Sequence, residues 1–233
     1  MRFVLALSLI HATLYDFAIG ATEEIVRTKY TNANQTLHRL INTGPINKFI
    51  LHSPHYNHHT NYGIVLLVIS AASEVELRRE IRQQWASAYA SRKALVIFLV
   101  GRSPNLDSEA ETYGDLLQID IEETYRNLVY KVEAGILWLS KHVNSKFVAK
   151  IDSDTVVHID RLLMELKIYE RKRKYATKEI DIFSRNIFFR SNNFIICSIY
   201  EDGEPHRDDY EKWYTSYSDY PGERYPRFCA GPG

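Results

Sequence analysis

FVAKIDSDTVV, residues 147–157, opens as an apolar, partly β-branched run and closes on two carboxylates two positions apart. A strand in the interior of a parallel sheet buries hydrocarbon on both faces, so such a run ends where the chain leaves the sheet. Asp152 and Asp154 therefore mark the carboxyl end of a strand. Two runs of the same kind stand upstream, GIVLLVIS at 63–70 and ALVIFLVG at 94–101, with a shorter one, LLQIDI, at 116–121. Segments of helical period lie between them. Leu77, Ile81, Trp85 and Ala88 fall on one helical face, with Ser73 and Glu76 spaced as a capping box at its start and Arg78 and Arg82 stacked four apart on a neighbouring face. A helix over 123–143 turns Leu128, Val132, Ile136 and Leu139 inward, and another is expected over 160–174. RSPNLDSE, 102–109, reads as a loop. Strands alternating with helices give an α/β fold, a mostly parallel sheet flanked by helices. Ligands of such sheets bind beyond the carboxyl ends of the strands, where Asp152 and Asp154 sit.

The flanks bound the rest. A chain of 233 residues holds one sizeable domain with an extension. Its 29 basic residues balance 29 acidic ones, so no overall field draws it to nucleic acid or an anionic membrane. Residues 1–21 carry Arg2, an apolar run from Phe3 to Ile10 and small residues at Ala18 and Gly20, the pattern of a signal peptide or a short signal anchor. Residues 22–62 are polar, without sustained period, and read as a stem or linker. Within it His52, His55, His58 and His59 lack the Cys or carboxylate partners that would close a metal site, and a solvated linker accounts for them. Asn34-Gln35-Thr36 is a glycosylation acceptor triplet, meaningful in a secretory lumen. Cys197 and Cys229 would be free to pair in an oxidising compartment.

An Asp-x-Asp turn offers hard oxygen ligands close enough to share one divalent ion, with open positions for the phosphates of a substrate. Solvated acids at a strand end are the plainer reading of the same residues. Arg78, Arg79, Arg82 and Lys131 divide likewise between exposed helical charges and contacts to a nucleotide. Trp85 and Trp138 lie on or beside apolar faces and read as core. Trp213, Tyr214, Tyr217, Tyr220 and Tyr225 either pack a loop or form a wall against which sugar rings stack.

Beyond these readings, the chain resembles a known family in several motifs that follow one another in order. RREIRQQW (78–85) is similar to an Arg-Arg-x-Ile-Arg-x-Thr-Trp helix, FLVG (98–101) to a second strand, and YGDLLQIDIEETYRNLVYKVEAGILW (113–138) to a Tyr-Gly-Asp-Ile segment with its following helix. KIDSDTVVHID (150–160) resembles a Lys-x-Asp-Ser-Asp metal motif. Pro205, Arg207, KWY (212–214) and YPRFCAGPG (225–233) resemble its later segments. The family is that of the β1,3-galactosyltransferases and β1,3-N-acetylglucosaminyltransferases, related to the Fringe enzymes.

The resemblance implies a GT-A like fold with a Rossmann-like nucleotide-binding half, and a catalytic domain over 63–233. It implies Mn²⁺ and a UDP-sugar donor, UDP-galactose or UDP-N-acetylglucosamine. It further implies inverting transfer in β1,3 linkage to a glycan of a glycoprotein or glycolipid. The expected place is the Golgi membrane with a lumenal domain, or secretion if the N-terminal segment is cleaved. Carried over by position, Asp154 is the direct metal ligand with Asp152 beside it, while Asp152, Ser153, Arg82 and Lys131 face the nucleotide.

Gln84, Val156 and His158 depart from the pattern, as does Val143, which stands where many members have Cys. The family's Glu-Asp-Val segment, which supplies its general base, is expected beyond Gly233, so the domain reads as lacking its C-terminal part. Glu201, Asp202, Asp208 and Asp209 do not match the base position, and the base is unassigned. The alternative is an inactive secretory relative that holds UDP-sugar or a glycan without catalysis.

Overall fold

The computed structural model describes residues 2–5, 46–87, 89, 93–175, 187–190, 193–196, 198–200, 202–211, 213–226 and 228–230. The three long apolar runs form the middle of a sheet. β3 (Tyr62–Ile69), β4 (Ala94–Val100) and β6 (Ser145–Asp152) pair in parallel, and the shorter β5 (Leu116–Ile119) extends them beside β4. Ile64 to Val68 of β3 have no solvent exposure, as expected of a strand covered on both faces. Burying each such side chain stabilises the fold by about 1.5–3 kcal/mol.

Alternation along the strands sorts these side chains into two cores. Val65, Leu67, Ile97, Leu99 and Val148 pack under α3 (Leu128–His142), through Val132, Ile136, Trp138 and Leu139. Ile64, Leu66, Val68, Phe98 and Phe147 pack on the other face, against Ile81 of α1 (Val75–Gln84), Trp85 at its C-terminal cap, and Ile159 and Leu166 of α4 (Ile159–Tyr175). Both Trp85 and Trp138 are core residues.

The full order is β1-β6-β3-β4-β5-β2. β1 (Arg2–Leu5) lies parallel beside β6, and β2 (Ile50–His52) lies antiparallel beside β5. The chain runs from β3 outward through β4 and β5, then returns through α3 to place β6 on the other side of β3. The order therefore reverses between β3 and β6, and in open α/β sheets that is where a crevice forms. Ile69 faces Asp152 across this pair.

Several local expectations fail, each for a physical reason. Ser73 and Glu76 form no capping box: α1 begins at Val75, its cap residue Glu74 makes no capping bond, and Glu76 pairs with Arg79. The expected loop at 102–109 contains the start of a short helix, α2 (Asp107–Tyr113). Asp107 and Glu109 in its first turn favour the positive end of the helix dipole, and Gly114 at φ 61° closes it in the left-handed conformation. α3 begins at Leu128 rather than 123, because the preceding residues form turns in which Asn127 N–H donates to the Thr124 carbonyl. The last part of the expected linker joins the sheet as β2, and His52 pairs there with Asp107 at 3.0 Å.

Two antiparallel pairs not expected from the sequence follow α4: β7 (Ile187–Arg190) with β8 (Asn193–Ile196), and β9 (Ser198–Tyr200) with β10 (Phe228–Ala230). Cys229 lies in β10 opposite Ile199. Cys197, the Asn34 triplet, most of 1–21 and Gly231 to Gly233 lie outside the described residues. No described helix is long and apolar enough to cross a membrane.

Candidate functional site

A cleft of about 1170 Å³ opens at the carboxyl ends of β3, β4 and β6. Its floor is Ile69, Ser70 and Asp152, with Ser153 and Asp154 on one side and the start of α1 above. Arg102 to Leu106, Tyr125, Leu128 and Trp213 complete the walls. Lys131, Asp152, Ser153 and Asp154 are thus brought together, while Arg82 does not line the cleft.

Strand alternation puts Lys150 and Asp152 on the same face of β6, two residues apart. Lys150 is wholly buried, and its Nζ donates to Asp152 Oδ1 at 2.6 Å. Burial pulls the Lys150 ammonium below its ordinary value, and Asp152 and Asp154 restore only part of that shift. Asp154, one turn position further, is exposed, and among the described residues nothing hydrogen-bonds its carboxylate. This donor set fits a hard divalent cation. One free carboxylate and the remaining oxygen of a second stand at the mouth of a cleft, leaving positions for phosphate and water oxygens. Among the described residues no group of three His, Cys, Asp or Glu side chains forms a closed cage.

Glu74, which sequence reasoning passed over, stands behind the acidic turn. Its Oε2 accepts from Ala71 N–H at 2.9 Å and from the hydroxyls of Ser70 and Ser153, both at 3.0 Å. Ser153 thus reaches the cleft with its one hydroxyl proton given to Glu74. A carboxylate with three donors from separate places has left no capping interaction for its own helix.

Arg78 and Arg82 answer the sequence differently from Lys131. The fully buried Arg78 guanidinium donates to Glu109 Oε1 at 2.8 Å and Oε2 at 2.6 Å, to Ser70 Oγ, and to the Ala71 and Ala72 carbonyls. Arg82 grips Asp115 through Nε at 2.7 Å and Nη2 at 2.8 Å, reaches Glu109 at 2.7 Å, and lies 3.9 Å from the centre of the Tyr113 ring. Burial pushes the Glu109 carboxyl up, but the two guanidiniums outweigh it and leave the group below its ordinary value. Burial likewise pulls Arg82 down, and Asp115 and Glu109 more than offset that. Arg79 is exposed and, among the described residues, pairs only with Glu76.

Lys131 of α3 is buried at the cleft wall. Its Nζ donates to the Ser70 carbonyl at 3.1 Å and to both oxygens of Glu123, at 3.1 and 2.9 Å, so three acceptors meet its three protons. Glu123 also accepts from Gly101 N–H. That approach needs glycine: a Cβ on Gly101 would lie 2.7 Å from Glu123 Cδ and from the Ile121 carbonyl oxygen. No local sequence signal links Glu123 to Gly101.

The aromatic segment divides. Trp213 reaches the cleft, whereas Tyr225 is buried with its hydroxyl on Thr215 Oγ1 at 2.9 Å and its ring 4.9 Å from that of Tyr220. Arg207 secures the loop by donating to the Thr215 and Gly222 carbonyls and lies 4.0 Å from the centre of the Tyr217 ring. Asp202, Asp208 and Asp209 do not line the cleft, and Glu201 lies outside the described residues.

A family model described as Galactosyltransferase matches residues 76–233, more than half of the chain. Beta-1,3-galactosyltransferase 5 of Pan troglodytes is 31% identical over 179 residues, covering 73% of this chain and 54% of the relative. The Homo sapiens protein of the same name is 31% identical over 179 residues, with 73% and 52% covered. Beta-1,3-galactosyltransferase 1 of Mus musculus is 28% identical over 222 residues, covering 90% of this chain and 61% of the relative. The chain spans about half the length of the first two relatives.

Proposed function

The chain belongs to the galactosyltransferase family, and from that premise we propose that it transfers galactose from a UDP-sugar to a glycan hydroxyl in β1,3 linkage, aided by Mn²⁺. The observation that carries the reading is the acidic pair Asp152 and Asp154 at the mouth of the cleft between β3 and β6, where the strand order reverses. The names of the relatives favour galactose over N-acetylglucosamine as the moved sugar.

Asp154, which has no protein partner among the described residues, would hold the cation directly, and Asp152 would contribute beside it while Lys150 balances part of its charge. Bound there, the ion offsets negative charge developing on the departing diphosphate. The start of α1 brings Ala71 to Leu77 to the opposite wall, where the rest of the donor lies. Lys131 keeps Ser70 and Glu123 in place and so shapes the floor under the nucleotide. Trp213 offers an indole face for a sugar ring. The acceptor hydroxyl oxygen attacks the anomeric carbon on the side away from the diphosphate as the carbon–diphosphate oxygen bond breaks, its proton passes to a general base, and the anomeric configuration inverts. The general base remains unassigned among these residues.

The test is calorimetric. UDP should bind with Mn²⁺ far more tightly than with chelator, and Asp154→Ala should abolish the difference; equal affinity in both conditions would remove the metal assignment. A screen of UDP-galactose against UDP-N-acetylglucosamine for Mn²⁺-dependent turnover then identifies the donor.

A second reading, UDP-sugar binding without transfer, has one observation in its favour. Of the other carboxylates lining the cleft, Glu74 carries three donors and Glu123 is tied to Lys131 and Gly101. Mn²⁺-dependent binding with no turnover of any donor would select it. Residues 1–21 would deliver either protein to the Golgi lumen, a placement checked by imaging a tagged chain and by sensitivity of an Asn34 glycan to glycosidase.

A further inference from the structure

The ladder joining β6 to β3 ends at Asp152 opposite Ile69. Past that point residues 153–155 are held, among the described residues, by few bonds, and the next tie is from the Tyr89 hydroxyl to the Val157 carbonyl. Ser153 N–H donates to the Ile69 carbonyl at 3.1 Å, Thr155 N–H donates to the Asp152 carbonyl at 3.1 Å, and the Ser153 hydroxyl donates to Glu74 Oε2 at 3.0 Å. Only the last of these is a side-chain tie from the turn to another element. The oxygen that receives it also receives Ser70 Oγ and Ala71 N–H. Ser70 Oγ is in turn 2.9 Å from Nη1 of the fully buried Arg78. Glu74 therefore locks the end of β3, the entry to α1 and the acidic turn to one another, with a buried cation behind them.

We propose that Glu74 is a positioning residue for the cation and diphosphate site: by fixing Ser153 it sets the direction in which Asp152 and Asp154 leave β6. This rests on the reading of the cleft given above. Glu74 has no hydrogen bond to Asp152 or Asp154 and is not grouped with them as a third metal-holding acid, so it acts through Ser153. A charged acceptor suits the task, because hydrogen bonds to an ionised group are the stronger kind and three donors converge here. Ligands held within a fraction of an ångström need such support, since neither Asp154 nor the turn backbone has enough of its own.

The experiment measures the dissociation constant of Mn²⁺·UDP on the full chain by calorimetry, at a temperature where circular dichroism shows each variant folded. Glu74→Ala and Ser153→Ala should each weaken binding about tenfold, in line with loss of a hydrogen bond to a charged group. The double variant should be no weaker than Glu74→Ala, because the two residues act through one bond. Glu74→Gln, which keeps an acceptor oxygen but not the charge, should recover part of the loss. Unchanged affinity in Glu74→Ala, losses that multiply in the double variant, or no recovery in Glu74→Gln each overturn the proposal. If Glu74→Ala does not fold, Ser153→Ala alone decides: unchanged affinity overturns the proposal and a tenfold loss supports it. A wild-type chain that holds no Mn²⁺·UDP removes the reading of the cleft and this inference together, whereas intact wild-type binding with indifferent variants removes the inference alone.

Discussion

The acids at the end of β6 and the acids facing α1 are the same functional group in opposite settings. Asp154 is exposed and has no protein partner among the described residues; Glu109 is buried and accepts from two arginines. The sequence presents Arg82 and Asp152 as equal candidates for a ligand site. The fold separates them by what surrounds each charge: the arginines meet carboxylates supplied from α2 and the start of β5, whereas the acidic turn meets one lysine and then open cleft. A charge held by buried and half-buried carboxylates supports structure, and a charge left free at a strand end is available to a ligand.

The contrast can be broken most severely at Glu109. Glu109→Ala strands the wholly buried Arg78 cation, and removing one partner of a buried pair costs about 3–5 kcal/mol. Urea denaturation should show that loss. A variant as stable as wild type would mean that the arginine cluster is not structural.

A smaller loss is expected from Gly101→Ala, where the added methyl must displace Glu123 or the Ile121 carbonyl at a cost of about 1–3 kcal/mol. The urea midpoint should fall, and the Glu123 to Lys131 contact should shift in a crystal structure of the variant.

The pH dependence sharpens the contrast further. The Glu109 pKa is lower in the folded chain than in the unfolded one, so between the two values the unfolded state binds more protons and stability rises with pH. The stabilisation is complete above the ordinary glutamate value of about 4.3 and is lost as pH falls through the folded value. Urea midpoints taken from pH 7 downward should decline in that window, and the decline should be shallower in Glu109→Gln.

The smallest expected effect is the most discriminating. Arg82→Gln should lower stability yet leave the Mn²⁺·UDP dissociation constant within about twofold of wild type, since Arg82 does not line the cleft. A loss comparable to that of Asp154→Ala would erase the distinction between the two regions.

Much of the fold was legible because long apolar runs and helical periods are strong signals. Among the described residues the four parallel core strands and three of the four α-helices stand near their expected positions, with Asp152 at the end of its strand. The misses differ in origin. α2 has seven residues, about two turns, too few for a period to declare itself. The four-residue strands β7 and β8 are likewise too short to read. Other misses concern partners distant in sequence. The Ser73 and Glu76 capping box lost to a Glu74 carboxylate that turns toward Ser153, 79 residues away. Arg82 was unreadable because Asp115 lies 33 residues on. The direction of the Lys150 side chain was within reach: alternation along a strand already places it on the same side as Asp152.

Ile69 and Asp152 sit face to face although they come from distant parts of the chain. The cavity they help to line has no existence in a half-assembled molecule, because neither strand alone encloses any space. Whatever lodges there must wait for long-range registry to be achieved, and its presence afterwards opposes the unzipping of those two ribbons. Occupancy and cooperative melting of the domain's centre are therefore a single equilibrium viewed from two ends.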